Sequence, residues 1–234
     1  MNAQDPVQLD AFATRNLSSP LSPAGLFRLF LMPREFFANI DLVGHRPEVV
    51  FAALAMGVTG SMGQIDKKIM QAELGQANKS LELLAWLLSS WINYWIVVLA
   101  AGAVGAVVLW LIGGWWYRKR LQWSGASDAS PTAARRINAY QELVFSGPAV
   151  LIVLVQTLLF ANYQEAWQAD EVWSSSILVF VFWSCWTSYA AATTVFPVVK
   201  RKAMLWFLIL PVLFYIVTLG IVGSLYALFG GHAA

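Results

Sequence analysis

The sequence predicts an all-α fold: a polytopic membrane helix bundle with five transmembrane helices, N-in/C-out, preceded by short interfacial amphipathic helices. Three observations carry that prediction. The chain has 234 residues, of which 59% are hydrophobic and 12% charged, about half the charge of a soluble domain; its mean hydropathy is +0.61. Apolar stretches of bilayer length, about 20 residues each, recur at 48–65, within 83–117, and at 138–162, 173–199 and 203–229. The cations then alternate between loops as a five-span topology requires. With the N-terminus inside, twelve Lys and Arg fall on the inner side and three on the outer, the bias that fixes membrane orientation.

Residues 1–24 read as a flexible polar tail, without the apolar core of a cleavable signal peptide. Residues 25–47 form an interfacial amphipathic segment: Leu26, Phe27, Leu29, Phe30 and Leu31 surround Arg28, and Pro33, Phe36, Phe37 and Ile40 follow. This segment is too short and too charged to cross. It fits helices lying in the headgroup plane, either as a lipid-surface rest or as a docking face for a partner. On the docking reading, deleting residues 1–40 releases the partner and leaves the spans folded. Asp41, Gly44 and His45 form a pre-span motif in which Gly44 permits a turn and Pro47 starts the helix. Residues 48–229 make the membrane domain, and 230–234 a short C-terminal tail.

The stretch 83–117 would measure about 52 Å as one helix, against a hydrocarbon core of about 30 Å. We read 83–91 as an interfacial turn and the remainder as the crossing. Trp91 and Trp95 mark one headgroup level, and Trp110, Trp115 and Trp116 the other. The rival is a hairpin near Ala100–Gly105, giving six spans and a weaker charge bias of nine against six.

Two basic groups face the inner headgroups: Arg118, Lys119 and Arg120 after the second span, and Lys200, Arg201 and Lys202 between the last two. Each cation there gains about 1 kcal/mol from an anionic surface. They read as topology anchors or as a contact site for anionic lipid headgroups or an acidic partner.

Polar side chains within the spans are the other candidates, since such groups are costly in lipid and mark function. Glu142 and Tyr140 stand near the inner interface, close enough for Glu142 to pair with Arg135, Arg136 or the 200–202 cations; Gln156 lies deeper. Pro148 removes a backbone donor between them and predicts a kink. Glu142 and Gln156 could line one polar path or serve as interhelical hydrogen bonds. Asn93 adds a further polar point. Gly57, Gly60 and Gly63, Gly102 and Gly105, and Gly220 and Gly223 recur every third residue and predict close-packing faces. The acids Glu165, Asp170 and Glu171 share an outer loop, which reads as solvated or as a weak divalent-ion site.

Catalysis is not expected. Paired intramembrane carboxylates, a Ser–His pair and a His-rich metal set are all missing from the pattern; the two histidines lie far apart in sequence. No cofactor or metal is expected. The net charge of +2 gives no reason to expect nucleic acid. Cys185 reads as a small core hydrophobe.

PREFF and IDLVGHRP, AYQELVFSGPAVLIVL (139–154) and WTSYAAATTVFPVVKRKAMLWFLILP (186–211), with the five-span layout, resemble the Yip family of Ypt/Rab-interacting membrane proteins and their bacterial relatives. The resemblance covers about residues 33–229. It implies a small, aromatic fourth span with Tyr189–Ala192, the basic turn Lys200–Lys202, and a fifth span opened by Ala203 with a later Pro211. Where eukaryotic members carry Asp-Leu-Tyr-Gly-Pro, this chain has Asp41, Leu42 and Gly44, but Val43 and His45 in place of Tyr and Pro. The bacterial type is the better match. The implied role is non-enzymatic: membrane organisation or trafficking, or an adaptor subunit that acts as a homo-oligomer or beside a protein partner. The implied place is the bacterial inner membrane, or an endomembrane in a eukaryote. The alternative is a small transporter or transporter subunit for a lipid or amphipathic solute.

Overall fold

A computed structural model describes residues 19–41, 47–73, 81–169 and 172–229. Among them every regular element is helical. Ser22 caps the first, α1 (Pro23–Leu31), its Oγ accepting from the Gly25 N–H at 3.1 Å. Pro33 then opens α2 (Pro33–Ala38). There follow α3 (Pro47–Glu73), α4 (Leu81–Leu88), α5 (Trp91–Trp123), α6 (Pro131–Leu159), α7 (Tyr163–Gln168) and α8 (Val172–Val195). The last helix, α9, starts at Lys200–Met204, widens into a π turn at Leu205–Ile209 and continues as Leu210–Phe229. Five of these helices are long and apolar enough to cross a bilayer. The chain is an integral membrane protein.

The second span resolves as one helix. α5 runs unbroken through Ala100–Gly105, so the hairpin is excluded. The break falls earlier, at Ser89–Ser90, where Ser90 Oγ caps α5 by accepting from Ile92 N–H at 3.2 Å. Its 33 residues give about 50 Å of helix, about 20 Å more than the hydrocarbon core needs. Other boundaries move too. α3 continues eight residues beyond Ile65, and α6 starts at Pro131 rather than 138.

α3, α5 and α6 form the central unit. α5 and α6 are antiparallel: Trp91 Nε1 donates to the Phe160 carbonyl at 2.8 Å and Trp95 Nε1 to Thr157 Oγ1 at 3.1 Å. α3 and α5 cross where Gly57 meets Gly102. A Cβ on Gly57 would collide with the Gly102 carbonyl and the Ala106 backbone, and one on Gly102 would stand 2.9 Å from Val58 Cα. The glycine prediction holds there, and also at Gly60 and Gly105, where a Cβ would stand 3.0 Å from Leu109 Cδ1 and 3.4 Å from the Gly57 carbonyl oxygen, but not at the remaining three. Gly63, Gly220 and Gly223 have open space around a would-be Cβ, so their spacing marks no packed face. α8 packs on α6, and α9 packs on α8 mainly through its first turns, with Ala203 and Phe207 fully buried. Beyond Leu210, α9 leaves the bundle with Leu213, Phe214, Ile216 and Val217 at least half exposed.

The N-terminal segment adds to the sequence reading. α1 and α2 lie along the spans with one face packed into the bundle core and the other exposed. Leu29, Phe36 and Phe37 are buried in one cluster with Val49, Ala52, Tyr140 and Val144. Phe36 meets Tyr140 edge-to-face at 5.8 Å, Phe30 meets Phe180 at 6.3 Å, and Trp183 Nε1 donates to the Phe30 carbonyl at 2.7 Å. Arg34 lies over the Trp186 ring at 5.9 Å. Phe27, Leu31 and Met32 keep the outward apolar face.

Candidate functional site

The five-span path brings the chain's basic groups to one end of the bundle. A backbone bond joins them: Val199 N–H donates to the Ser124 carbonyl at 2.8 Å. The turn after α5 needs Gly125 at φ +106°, in the left-handed region, where a Cβ would stand 3.2 Å from Val199 Cγ2. The end of α5 and the start of the 200–202 group therefore lie side by side at one end of the bundle. Lys200, Arg201 and Lys202 differ in form from the sequence reading, since they are the first turn of α9 and not a free link. Arg118 is committed elsewhere, its Nε donating to the Ala129 carbonyl at 2.8 Å. Lys119 is half-buried. Arg120 turns to the interior, its guanidinium 4.6 Å from the Phe207 ring centroid and 5.3 Å from that of Tyr117.

Glu142 accepts from Gln141 Nε2 at 2.8 Å, and the cation whose charge reaches it is Arg120. The expected partners were Arg135, Arg136 and the 200–202 group. Among the described residues none of these is ion-paired with Glu142. Arg136 is instead buried with Nη1 lacking a hydrogen-bond partner. Tyr140 serves the core, under Phe36. Asn93 is no mid-membrane group: it lies in the first turn of α5, and its Nδ2 donates to the Trp86 carbonyl at 3.0 Å, tying α4 to α5. α6 continues through Pro148 as one helix. Asp41 precedes α3, whereas Gly44 and His45 lie outside the described residues, as do Asp170 and Glu171. Among the described residues no three His, Cys, Asp or Glu side chains gather as metal ligands.

A different site forms at the opposite end. A cleft of about 370 Å³ lies between α3 and α6, lined also by Tyr163 and Trp167 of α7 and by Ile177 of α8. Its lower wall is apolar: Met62, Phe145, Ala149, Ile152 and Val153. Its upper wall is polar, with Asp66, Gln156, Tyr163 and Trp167. Gln156 thus does line a membrane cavity. Glu142, its expected companion, does not; the companion is Asp66.

Tyr163 organises the upper wall. Asn162 starts α7 by accepting from Glu165 N–H at 2.9 Å, which turns Tyr163 back towards α3. Tyr163 Oη donates to Asp66 Oδ1 at 2.5 Å, and its ring stacks on Tyr94 at 4.2 Å between centroids. Trp91 stands edge-on to both rings. One residue turn along, Trp167 Nε1 donates to Glu73 Oε1 at 2.7 Å. α7 is thus latched to α3 at two carboxylates.

Burial first, and then the Asp66 carboxylate, raise the Tyr163 phenol above the ordinary tyrosine value of 10.0. The folded state keeps its proton where the unfolded chain gives it up. Stability from this group is therefore full below about pH 10 and falls above it, by about 1.4 kcal/mol per pH unit at most. In thermal melts between pH 9 and 11, Tyr163→Phe should flatten that decline; an unchanged slope would remove the phenol from the account.

Asp66 was missed because span one was ended at Ile65 with Lys67 and Lys68 read as loop. Met62, Ile65 and Ile69, all buried, keep helical spacing through that point and were the available signal. Compared with known proteins, the chain matches no family model, no curated protein and no solved structure.

Proposed function

We propose that the chain is a non-enzymatic membrane protein that binds an amphipathic, lipid-class molecule in the cleft between α3, α6 and α8, as a transporter component or lipid-handling subunit. One observation carries this reading: a single cavity of about 370 Å³ grades from an apolar wall to a polar one. That size lies within the about 300–1,000 Å³ of ligand pockets, and the grading matches a molecule with a chain and a head. The proposed orientation keeps the basic end inside, with the polar wall at the outer headgroup level; a bacterial inner membrane fits best.

Gly63 supplies the test. It lines the cavity, and a Cβ there meets nothing within 4 Å, so Gly63→Leu fills the cleft without disturbing the backbone. Native mass spectrometry of gently extracted protein should find an amphiphile retained by the parent. Gly63→Leu should reduce it at least tenfold at an unchanged melting temperature. Equal retention by both proteins would overturn the reading.

A second reading is a Yip-like adaptor or membrane-organising role. The resemblance over residues 33–229 supports it, and so does the exposed far half of α9, which has room for a neighbouring helix. A stoichiometric protein partner in the same spectra, lost on shortening α9 after Leu210, would favour it.

A further inference from the structure

The C-terminal end of α3 has two faces of different character. Asp66 and Glu73 stand seven residues apart on one side of the helix, and both bond to α7, Asp66 accepting from Tyr163 Oη and Glu73 from Trp167 Nε1. Lys68 follows Asp66 by two residues, about 200° further round the helix. It lines a second cleft, of about 280 Å³, between α3, α4 and α5. Ser61, Gln64, Ile65 and Lys68 supply the α3 wall of this cleft, at i, i+3, i+4 and i+7 of one helical stripe. The other walls are apolar, with Leu84 and Leu87 from α4 and Val97 and Ala101 from α5. Among the described lining residues Lys68 carries the one charge.

The cleft is graded with depth. Ser61 lies about 10 Å from Lys68 along α3, and Ala101 about 15 Å from Trp91, the first residue of α5. α4 is held in place by the bond from Asn93 Nδ2 to the Trp86 carbonyl and by its buried Leu87 and Leu88, so the apolar wall needs little ordering when a ligand enters. Acyl chains fill any apolar cleft open to a bilayer. The particular feature here is a lysine at the headgroup end of one. A net negative phosphodiester gains from that ammonium, whereas a zwitterionic head brings a cation of its own that offsets the gain.

We propose that this second cleft binds an anionic phospholipid, with its phosphate at Lys68 and one acyl chain along Ile65, Leu84, Leu87 and Val97. The site is separate from the cleft at Tyr163 and does not rest on the amphiphile-binding reading of that cleft.

The test uses the full chain in phosphatidylcholine vesicles doped with a phospholipid that carries a diazirine midway along one acyl chain. The probe is made in two forms, phosphatidylglycerol and phosphatidylcholine. Crosslinks are mapped by peptide mass spectrometry, and Leu158, 86% exposed on α6, reports ordinary contact with the surrounding lipid. At Leu84, Leu87 and Val97 the phosphatidylglycerol probe should crosslink about fivefold more than the phosphatidylcholine probe, the gain expected of one lysine at an anionic surface. At Leu158 the two should be equal. Lys68→Gln should abolish the preference and Lys68→Arg should keep it. Ala101→Phe, at an exposed position on the cleft wall, should reduce crosslinking there by both probes. Equal labelling of the cleft by both probes in the parent would overturn the proposal, as would a preference that survives Lys68→Gln or one that is as large at Leu158. Gly63→Leu should leave the pattern unchanged, and each of these failures would leave the reading of the Tyr163 cleft standing.

Discussion

Gly57→Leu is expected to be among the most damaging single substitutions in the chain. Its side chain would have to enter the space of the Gly102 carbonyl and the Ala106 backbone. Backbone cannot rotate away as a side chain can, so α3 and α5 must separate along the crossing. The expected loss is about 3 kcal/mol, the upper end for overpacking, with a lower melting temperature and a smaller folded yield. In lipid, helices associate through close packing and not through exclusion of water, so few contacts elsewhere replace what a separated crossing loses. Gly220→Leu is the control: the same residue type, in the same every-third-residue pattern, with nothing within 4 Å of its would-be Cβ. It should leave the melt within about 0.5 kcal/mol of the parent. Equal effects at both positions would refute the crossing as described.

Removing residues 1–40 is expected to destabilise the bundle rather than trim a docking arm. The deletion takes away Leu29, Phe36 and Phe37, and leaves Tyr140, Val49 and Ala52 facing the space they filled. It also strips Phe30, whose carbonyl accepts from Trp183 Nε1. Phe36→Ala isolates part of this effect. In a water-soluble core Phe→Ala costs about 3–5 kcal/mol. Part of that is transfer to water, which is smaller where lipid is the alternative, so about 2 kcal/mol is expected here. Protease sensitivity and melting of the truncated protein check the larger claim. A deletion with the parent's melt and a protease-resistant core would restore α1 and α2 to the role of a removable surface segment.

The difference between these outcomes shows what the chain made legible. The five spans were readable because bilayer thickness imposes a length on any crossing helix, and five apolar stretches of that length stand in the sequence. That the end of α5 and the 200–202 group lie at the same end was readable because alternation between loops is arithmetic. The docking of α1 and α2 was not: Leu29, Phe36 and Phe37 satisfy an apolar environment equally well as lipid anchors or as core, and hydropathy does not distinguish the two. Glycine spacing had the same weakness. Gly57 and Gly223 look alike in sequence, and only the position of a second helix separates them. Asp66 was lost to a boundary drawn at Ile65, two turns too early. With it went the partner of Tyr163, a residue 97 positions away that no local pattern could supply. Glu142 stood out as the intramembrane acid, yet its surroundings are Gln141 and Arg120 rather than the cleft.

The first turn of α9 has a bearing on how the protein is made. Lys200, Arg201 and Lys202 occupy the end of the helix where unpaired N–H groups already give a partial positive charge. Charge and dipole have the same sign, so the turn gains nothing from its own helix and depends on water or headgroups for solvation. Drawing it through the hydrocarbon would cost about 2.5–3.5 kcal/mol for each of the three side chains, and the dipole adds to that barrier. During synthesis the segment is therefore expected to stay on the side from which the chain is delivered, while α8 and α9 enter the bilayer together as a hairpin with this turn as its retained bend.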